Sequence, residues 1–128
     1  MTVKSATDFD LDAFKRAYEA WDVEALLGLY ADGVELVQID RDNPPSSPRV
    51  RQGKEVFKGM FEHCAAAGVK ATVENAVSGE GRAAATVTCE FLGGRKVTAN
   101  SILELENGRI VQHNAEAGFA RAIFQARH

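Results

Sequence analysis

Apolar residues in the first half of the chain recur at the three- and four-residue spacing typical of amphipathic helices. A first helix is predicted over about 8–20. A second follows at once, capped by Asp22 and stopped at Ala31-Asp32-Gly33, where Gly33 suits a left-handed closing residue. A third helix ends before Gly68. The predicted apolar faces of the three helices are formed, in order, by Leu11, Phe14, Tyr18 and Trp21; by Val23, Leu26, Leu27 and Tyr30; and by Val56, Phe57, Met60, Phe61, Cys64 and Ala65.

A strand is predicted between the second and third helices, over Val34 to Asp40, where apolar and polar positions alternate. Val34 and Leu36 share one face with Gln38 and Asp40, so this face begins apolar and ends in an amide and a carboxylate. Such a face is typical of a pocket wall with an apolar interior and a polar mouth. The segment 41–52 contains all three prolines of the chain and is predicted to be a surface loop.

Beyond Gly68 the period of the pattern changes to two, and turn signals separate the alternating segments. The turns fall at 78–81, at Gly93-Gly94 and at Asn107-Gly108, of which the last is the strongest hairpin signal. Three helices followed by three or four hairpin-linked strands predict an α+β fold with an antiparallel β-sheet. The chain is expected to form a single domain over 1–128.

Composition and charge narrow the classes of partner. The 128 residues are 45% hydrophobic and 26% charged, which is ordinary for a globular domain. A net charge of −3 without a basic stripe argues against nucleic acid, and no apolar run is long enough for a membrane span. Residues 1–10 lack the apolar core of a secretion signal, so a cytoplasmic location is expected. Cys64 and Cys89 are interpreted as buried thiols, and no spacing indicates a metal or cofactor.

The order of these elements, with the segments LGLYADGVEL, QGKEVFKGMF and LELENGRIV, resembles the NTF2-like superfamily. Within it the chain is most similar to the SnoaL-like and ketosteroid-isomerase-like branch, over about Asp8 to Ala117. The resemblance implies a cone, in which a strongly curved sheet wraps around the three N-terminal helices, with a ligand pocket between them. It also implies a homodimer. The activities of that branch include steroid isomerisation, polyketide cyclisation, epoxide hydrolysis and dehydration, beside many non-catalytic binders.

The positions that carry the isomerase mechanism in that branch hold different residues here. The position of the proton-shuttling carboxylate looks like Gln38, the tyrosine of the first helix falls on Phe14, and the partner acid falls at or near Leu103. Because an amide cannot abstract a proton, the carboxylate role would have to move to Asp40. The standard isomerase mechanism is therefore not expected, and the Asp-Arg-Asp arrangement of the epoxide-hydrolysing members is not found.

Three residues are candidates for acid–base catalysis. Asp40 lies at the expected pocket mouth, where apolar walls would raise its pKa; the alternative is that it only caps the following turn. His113 is expected to face inward with Val111 and Ala115 and to form a dyad with Asp40, unless it is a hydrogen-bonded core histidine. Tyr18 can place a hydroxyl in the cavity or pack as a core aromatic residue.

The remaining candidates would line the pocket or its entrance. Arg41, Arg49 and Arg51 flank the proline loop and either recognise an anionic group of the substrate or are solvated surface residues. For the aromatic residues, plain core packing is the alternative. The predicted lining comprises Phe14, Trp21, Gln38, Phe57, Met60, Phe61, Cys89, Ser101 and Leu103.

These candidates favour a cofactor-free acid–base enzyme of the cyclase, isomerase or hydrolase kind that acts on a small hydrophobic molecule. The alternative is a non-catalytic ligand-binding or dimerisation module of the same fold. A third hypothesis, a role in protein trafficking of the nuclear-transport type, is supported by the predicted fold alone. A homodimer is expected to form through the outer sheet face, where Val37, Ile39, Ile102 and Ile110 stand among threonines. The apolar tail Phe119–Phe124 is expected to pack on the sheet or on a partner.

Overall fold

A computed structural model describes residues 8–117 and contains three helices and six strands. The strands form one sheet in the order β2-β1-β6-β5-β4-β3, antiparallel throughout except for the parallel pair β1 and β6. The helices pack on the curved sheet, so the predicted α+β fold is confirmed. In chain order the elements are α1 Leu11–Ala20, α2 Val23–Leu27, β1 Tyr30–Ile39, β2 Arg49–Gln52, α3 Lys54–Ala66, β3 Lys70–Gly79, β4 Arg82–Glu90, β5 Lys96–Glu106 and β6 Arg109–Ala117.

The second helix is shorter than predicted, and its expected last apolar residue belongs to the sheet. The Asp22 side chain caps α2 as expected, since it accepts a hydrogen bond from the Ala25 N–H at 3.1 Å. Tyr30 opens β1 and pairs with Ile110 of β6, and Gly33 lies within the strand instead of closing the helix. The prediction was wrong at these two residues because sheet pairing outweighs a helical spacing that continues for only one more turn.

The proline-rich segment is also only partly a loop. Its last four residues form the edge strand β2, in which Arg51 pairs with Leu36 and Arg49 pairs with Gln38. All three prolines precede this strand, so none removes a donor from the sheet. The pairing places two arginines beside the strand that carries the predicted pocket wall.

A β-bulge changes the register of the last hairpin. Asn107 and Gly108 have φ of 53° and 78°, as a two-residue hairpin turn requires. Gln112 pairs with Glu104 but Ile110 pairs with Leu105, so Val111 is an extra residue in β6. The bulge brings Ile110 to the inner face, where it is completely buried, although simple alternation put it on the outer face. His113 is buried as expected.

The core between helices and sheet is rich in aromatic residues. Phe14 and Tyr18 of α1 are buried together with Tyr30 of β1 and with Phe57 and Phe61 of α3. Their rings contact one another at centroid distances of 4.5–6.1 Å. No helix within residues 8–117 is long and apolar enough to cross a membrane. The tail Phe119–Phe124 lies outside the described residues.

Candidate functional site

A mainly apolar cavity lies between the helices and the inner face of the sheet, with a volume of about 160 Å³. An engineered protein cavity of about 150 Å³ holds benzene, so a molecule of roughly one ring fits here. Seven predicted site residues line the cavity, and they are Tyr18, Gln38, Asp40, Met60, Cys89, Ser101 and His113. Leu36, Val87, Val97, Ala99 and Ala115 supply apolar wall, and Ile39, expected on the outer face, also contributes to the lining.

Five residues predicted to line the pocket lie outside this lining. Phe14, Phe57 and Leu103 have no exposed surface, and Phe61 has almost none, so these four form the core behind the cavity wall. Trp21 is half-buried, and its indole N–H donates a hydrogen bond to the Val69 carbonyl at 2.6 Å. The positions of these side chains agree with the alternative interpretation, in which they pack in the core and do not line the pocket.

His113 is sealed into the inner face of the sheet by two hydroxyl groups. Its Nδ1 lies 3.0 Å from the Tyr30 hydroxyl and its Nε2 lies 3.0 Å from the Ser101 hydroxyl. The rings of Tyr30 and Phe57 stack on the imidazole at centroid distances of 6.0 and 5.8 Å. Since both ring nitrogens are occupied, neither is hydrogen-bonded to Asp40, and the expected direct dyad is not formed.

The surroundings of His113 favour its neutral form. Burial lowers the pKa of His113 from 6.5 to about 4. A neutral imidazole has one donor and one acceptor, which two hydroxyl groups can match. A protonated ring would oblige both hydroxyls to accept, and their hydrogens would then need new acceptors. His113 is therefore a neutral hydrogen-bonding residue at neutral pH.

Asp40 lines the cavity and also fixes the turn that follows β1. Its Oδ1 accepts hydrogen bonds from the backbone N–H groups of Asp42 and Asn43 and from the Asn43 side-chain amide, at 2.9–3.0 Å. Oδ2 has no hydrogen bond or ion pair with any residue from 8 to 117. One carboxylate oxygen is thus held by the turn while the other is left without a partner in the described chain.

Tyr18 brings a second unpartnered polar group to the same cavity. The residue is buried between Phe14, Trp21 and Phe61, and its hydroxyl makes no hydrogen bond with the described part of the chain. Burial raises the pKa of Tyr18 above its ordinary value of 10, with smaller contributions from Cys89 and Cys64. The hydroxyl is therefore a protonated donor in apolar surroundings.

Arg51 of the edge strand β2 contacts two residues of the cavity lining but is not itself part of that lining. Its Nη2 donates a hydrogen bond to Gln38 Oε1 at 2.6 Å and lies 3.8 Å from the Met60 sulfur. Its Nε is buried and has no partner within residues 8–117. Burial, followed by the nearby Arg49, lowers the pKa of Arg51. Arg41, by contrast, is exposed.

Tyr30, whose hydroxyl is hydrogen-bonded to His113, was not among the residues predicted to belong to the site. Tyr30 was predicted to end a helix, and its hydrogen-bond partner His113 lies 83 positions further along the chain, so the sequence did not indicate this contact. Cys89 is in the lining, but burial raises the pKa of its thiol to about 11, so it is not a ready nucleophile. Among residues 8–117 no three histidine, cysteine or acidic side chains are grouped as metal ligands.

Comparisons with known proteins bear on the fold and on the family. No curated protein matches the chain at a significant level. A structure of a candidate polyketide cyclase from Pseudomonas putida is similar with a TM-score of 0.69 and 20% identity, over 96% of this chain and 98% of that one. An NTF2-like protein of unknown function from Cytophaga hutchinsonii aligns with a TM-score of 0.66 and 16% identity, over 97% and 99% of the two chains.

A candidate ketosteroid isomerase from Kribbella flavida is also similar, with a TM-score of 0.66 and 15% identity, over 83% of this chain and 73% of that one. At these identities the likeness establishes the NTF2-like fold and not a shared reaction. The model of the SnoaL-like domain matches residues 11–113, which is most of the sequence. The chain therefore belongs to the SnoaL-like domain family.

Proposed function

We propose that this domain binds a small, mainly apolar molecule of about one ring in the cavity and catalyses a proton transfer on it, of the cyclase, isomerase or hydrolase kind. The observation that supports this most is that Asp40 and Tyr18 line one apolar cavity, each with an oxygen that has no partner among residues 8–117. Both oxygens keep accessible surface, so a bound molecule can reach them and complete their hydrogen bonds.

The roles of the two residues follow from their chemistry. Asp40 acts as the base: Oδ2 takes a proton from a carbon next to a carbonyl group. The electron pair of the C–H bond forms a C=C bond, and the π pair of the carbonyl group moves onto its oxygen. Tyr18 donates a hydrogen bond to the oxygen on which negative charge develops. Return of the proton from Asp40 to another carbon of a conjugated enolate completes an isomerisation. In a cyclisation, the enolate carbon attacks a second carbonyl carbon of the same molecule, the π pair of that carbonyl group moves to its oxygen, and this oxygen takes the proton from Asp40.

His113 serves this site as a positioning residue and not as the proton carrier. Its two hydrogen bonds tie β6 to Tyr30 of β1 and to Ser101 of β5, so the three strands keep one arrangement behind the cavity. Because its imidazole is neutral, His113 adds no positive charge to the cavity wall.

Proton exchange on a simple ketone tests the proposed reaction. We expect the protein to accelerate deuterium exchange at the carbons beside the carbonyl of cyclohexanone, a one-ring ketone, in D₂O, followed by NMR. Asp40→Asn should slow the enzymatic rate by about 100-fold, because the amide keeps the turn but cannot accept the proton. Tyr18→Phe should also slow exchange while leaving the fold intact.

The control is Asp42→Asn, which changes an exposed carboxylate of the same turn and should leave the exchange rate unchanged. Equal rates for the wild type and Asp40→Asn would refute the catalytic part of the proposal. Binding of cyclohexanone without any exchange would instead favour the non-catalytic ligand-binding module.

The outer face of the sheet supports the further proposal that the domain forms a homodimer. The strand registers align Val50, Val37, Asn114, Ile102, Ala84 and Val77 in one row across all six strands. Three of these apolar residues are largely exposed, at 53% for Val50, 47% for Ile102 and 62% for Val77. A second copy, related by a two-fold axis, would cover the row with the same row.

Mass measurement by light scattering tests this arrangement. We expect a particle of twice the 13.9 kDa mass of the chain. Ile102→Lys should give monomers, since a charge would be buried at the centre of the contact. Leu92→Lys, at an apolar residue that is 81% exposed in the β4–β5 turn, should leave the dimer intact. A monomeric wild type, or a dimeric Ile102→Lys, would contradict the proposal.

A further inference from the structure

We infer that Gln38 is a second hydrogen-bond donor to the carbonyl oxygen of the substrate, beside Tyr18, and that Arg51 is the positioning residue that orients the Gln38 amide. This inference rests on the proposed function, because it names a further group that binds the substrate in the same cavity. The observations that carry it are the fixed orientation of the amide, its accessible nitrogen and its place beside Asp40 in the lining.

Arg51 determines which end of the Gln38 amide group faces it. The Nη2 of Arg51 donates a hydrogen bond to Gln38 Oε1 at 2.6 Å. A guanidinium group has donors but no acceptor, so the amide can present only its oxygen to Arg51. A hydrogen bond from a charged donor is stronger than a neutral one and holds the side chain in this orientation. The NH₂ group of Gln38 is therefore the end of the amide that is left for another partner.

The amide nitrogen of Gln38 is unpartnered within residues 8–117 and remains accessible. Its Nε2 donates no hydrogen bond to the described part of the chain. Among the described side chains that are not exposed, the fully buried polar atom without a partner is Arg51 Nε, so Gln38 Nε2 keeps accessible surface. Gln38 belongs to the cavity lining and Arg51 does not. The donor that a ligand meets at this part of the wall is therefore the amide and not the guanidinium group.

The neighbours of Gln38 leave space for a ligand beside its amide group. Gln38 pairs with Ala115 of β6, which in turn pairs with Ser101 of β5, and all three residues line the cavity. Ala115 has only a methyl group, and the Ser101 hydroxyl is already hydrogen-bonded to His113. Gln38 is therefore the residue of this row whose side-chain N–H groups have no partner in the described chain.

The position of Asp40 fits a substrate that is a neutral carbonyl compound. Asp40 lies two residues beyond Gln38, a distance of roughly 7 Å in extended chain. A carbonyl group can span it, with its oxygen hydrogen-bonded to Gln38 and the adjacent carbon beside Asp40 Oδ2. Asp40 is the charged residue of the lining, and its negative charge disfavours anionic ligands. As negative charge develops on the substrate oxygen, the hydrogen bonds from Gln38 and Tyr18 become stronger.

The stretching frequency of a bound ketone measures the hydrogen bonds to its oxygen. Each such bond weakens the C=O bond and lowers the frequency. In infrared difference spectra of bound cyclohexanone we expect a lower frequency in the wild type than in Gln38→Glu, whose carboxylate still accepts the hydrogen bond from Arg51 but donates none. Tyr18→Phe should also raise the frequency, and the double variant should raise it further.

Gln38→Met removes the same donor without adding a charge. The affinity for cyclohexanone, measured by NMR titration, should fall about tenfold, as expected for the loss of one hydrogen bond. The affinity for methylenecyclohexane, which has nearly the same shape but no oxygen, should stay within about twofold. The control for Gln38→Glu is Gln52→Glu, at an exposed position of β2, which should change neither the frequency nor the affinity. Far-UV circular dichroism of each variant shows whether the fold is kept.

Two variants of Arg51 test its positioning role. Arg51→Met removes the donor that holds Gln38 Oε1, so the amide can turn, and the C=O frequency should rise towards that of Gln38→Glu. Arg51→Lys still donates to the amide oxygen and should keep the wild-type frequency. A merely structural role of Arg51 would change the stability of these variants without moving the frequency, and an unchanged frequency in Arg51→Met would overturn the positioning role.

The outcomes distinguish this inference from the proposed function. Equal C=O frequencies in the wild type and Gln38→Glu, or equal cyclohexanone affinities in the wild type and Gln38→Met, would overturn the role of Gln38. The proposed function would survive that result, because the exchange rates of Asp40→Asn and Tyr18→Phe report on it separately. Failure of the wild type to bind cyclohexanone would overturn both.

Discussion

Replacing Phe57 by alanine is expected to lower the free energy of unfolding by about 3–5 kcal/mol, the usual cost of removing a fully buried aromatic ring. Phe57 has no exposed surface, and its ring lies 4.5 Å from Tyr30 and 5.8 Å from His113 between centroids. The ring fills the space between α3 and the strands that hold the histidine. Urea denaturation followed by the fluorescence of the single tryptophan measures the loss.

The matched control for Phe57→Ala is Leu92→Ala, which shortens a large apolar side chain that is 81% exposed. Its effect should stay within about 0.5 kcal/mol, because surface substitutions remove few contacts. A loss below about 1 kcal/mol in Phe57→Ala would contradict the packing described for this ring, since even partial collapse of the space does not recover that much.

Acidification is expected to destabilise the protein through His113, in addition to the general effect of protonating carboxylates. The native state holds His113 at a pKa of about 4, whereas the unfolded chain has the ordinary 6.5, so the unfolded state binds the proton more readily. The stability due to neutral His113 is complete above pH 6.5 and is lost as the pH falls towards 4. The loss is about 3 kcal/mol over this range.

The measurement is the free energy of unfolding as a function of pH in the wild type and in His113→Gln. The variant should be less stable at pH 7, because the stacked ring and one hydrogen bond are lost. Its curve should nevertheless be flatter than that of the wild type, by about 3 kcal/mol between pH 6.5 and 4. Parallel curves would mean that His113 titrates alike in the folded and unfolded states, against the sealed environment described above.

Much of the fold was predictable from the sequence because its signals are local. The helix cap at Asp22 and the turn at Asn107-Gly108 depend on a few adjacent residues, and the structure confirms both. Tyr30 was assigned to a helix because its partner Ile110 is far along the chain. The bulge at Val111 has no sequence signal of its own, so alternation alone placed Ile110 on the wrong face.

Part of the candidate site was predictable, because alternate residues of a strand point to the same face of the sheet. Gln38 and Asp40 were assigned to the pocket from the alternation in β1, and Ser101 and His113 from that in β5 and β6; all four line the cavity. The hydrogen bonds of Gln38, Ser101 and His113 were not predictable, because each joins residues of different strands. Arg51 was a candidate only as one of three loop arginines, since the edge strand that positions it was not foreseen.

The parallel pairing of β1 with β6 imposes an order on the folding of the chain. Residues 30–39 must wait for residues 109–117, so β2, α3, β3, β4 and β5 are synthesised before these two neighbouring strands can meet. Until then the hairpin β1–β2 and the three-stranded meander β3–β4–β5 are separate pieces, each with an unpaired edge. Contacts so distant in sequence slow folding, because the two strands must close a long loop before their pairing stabilises the sheet.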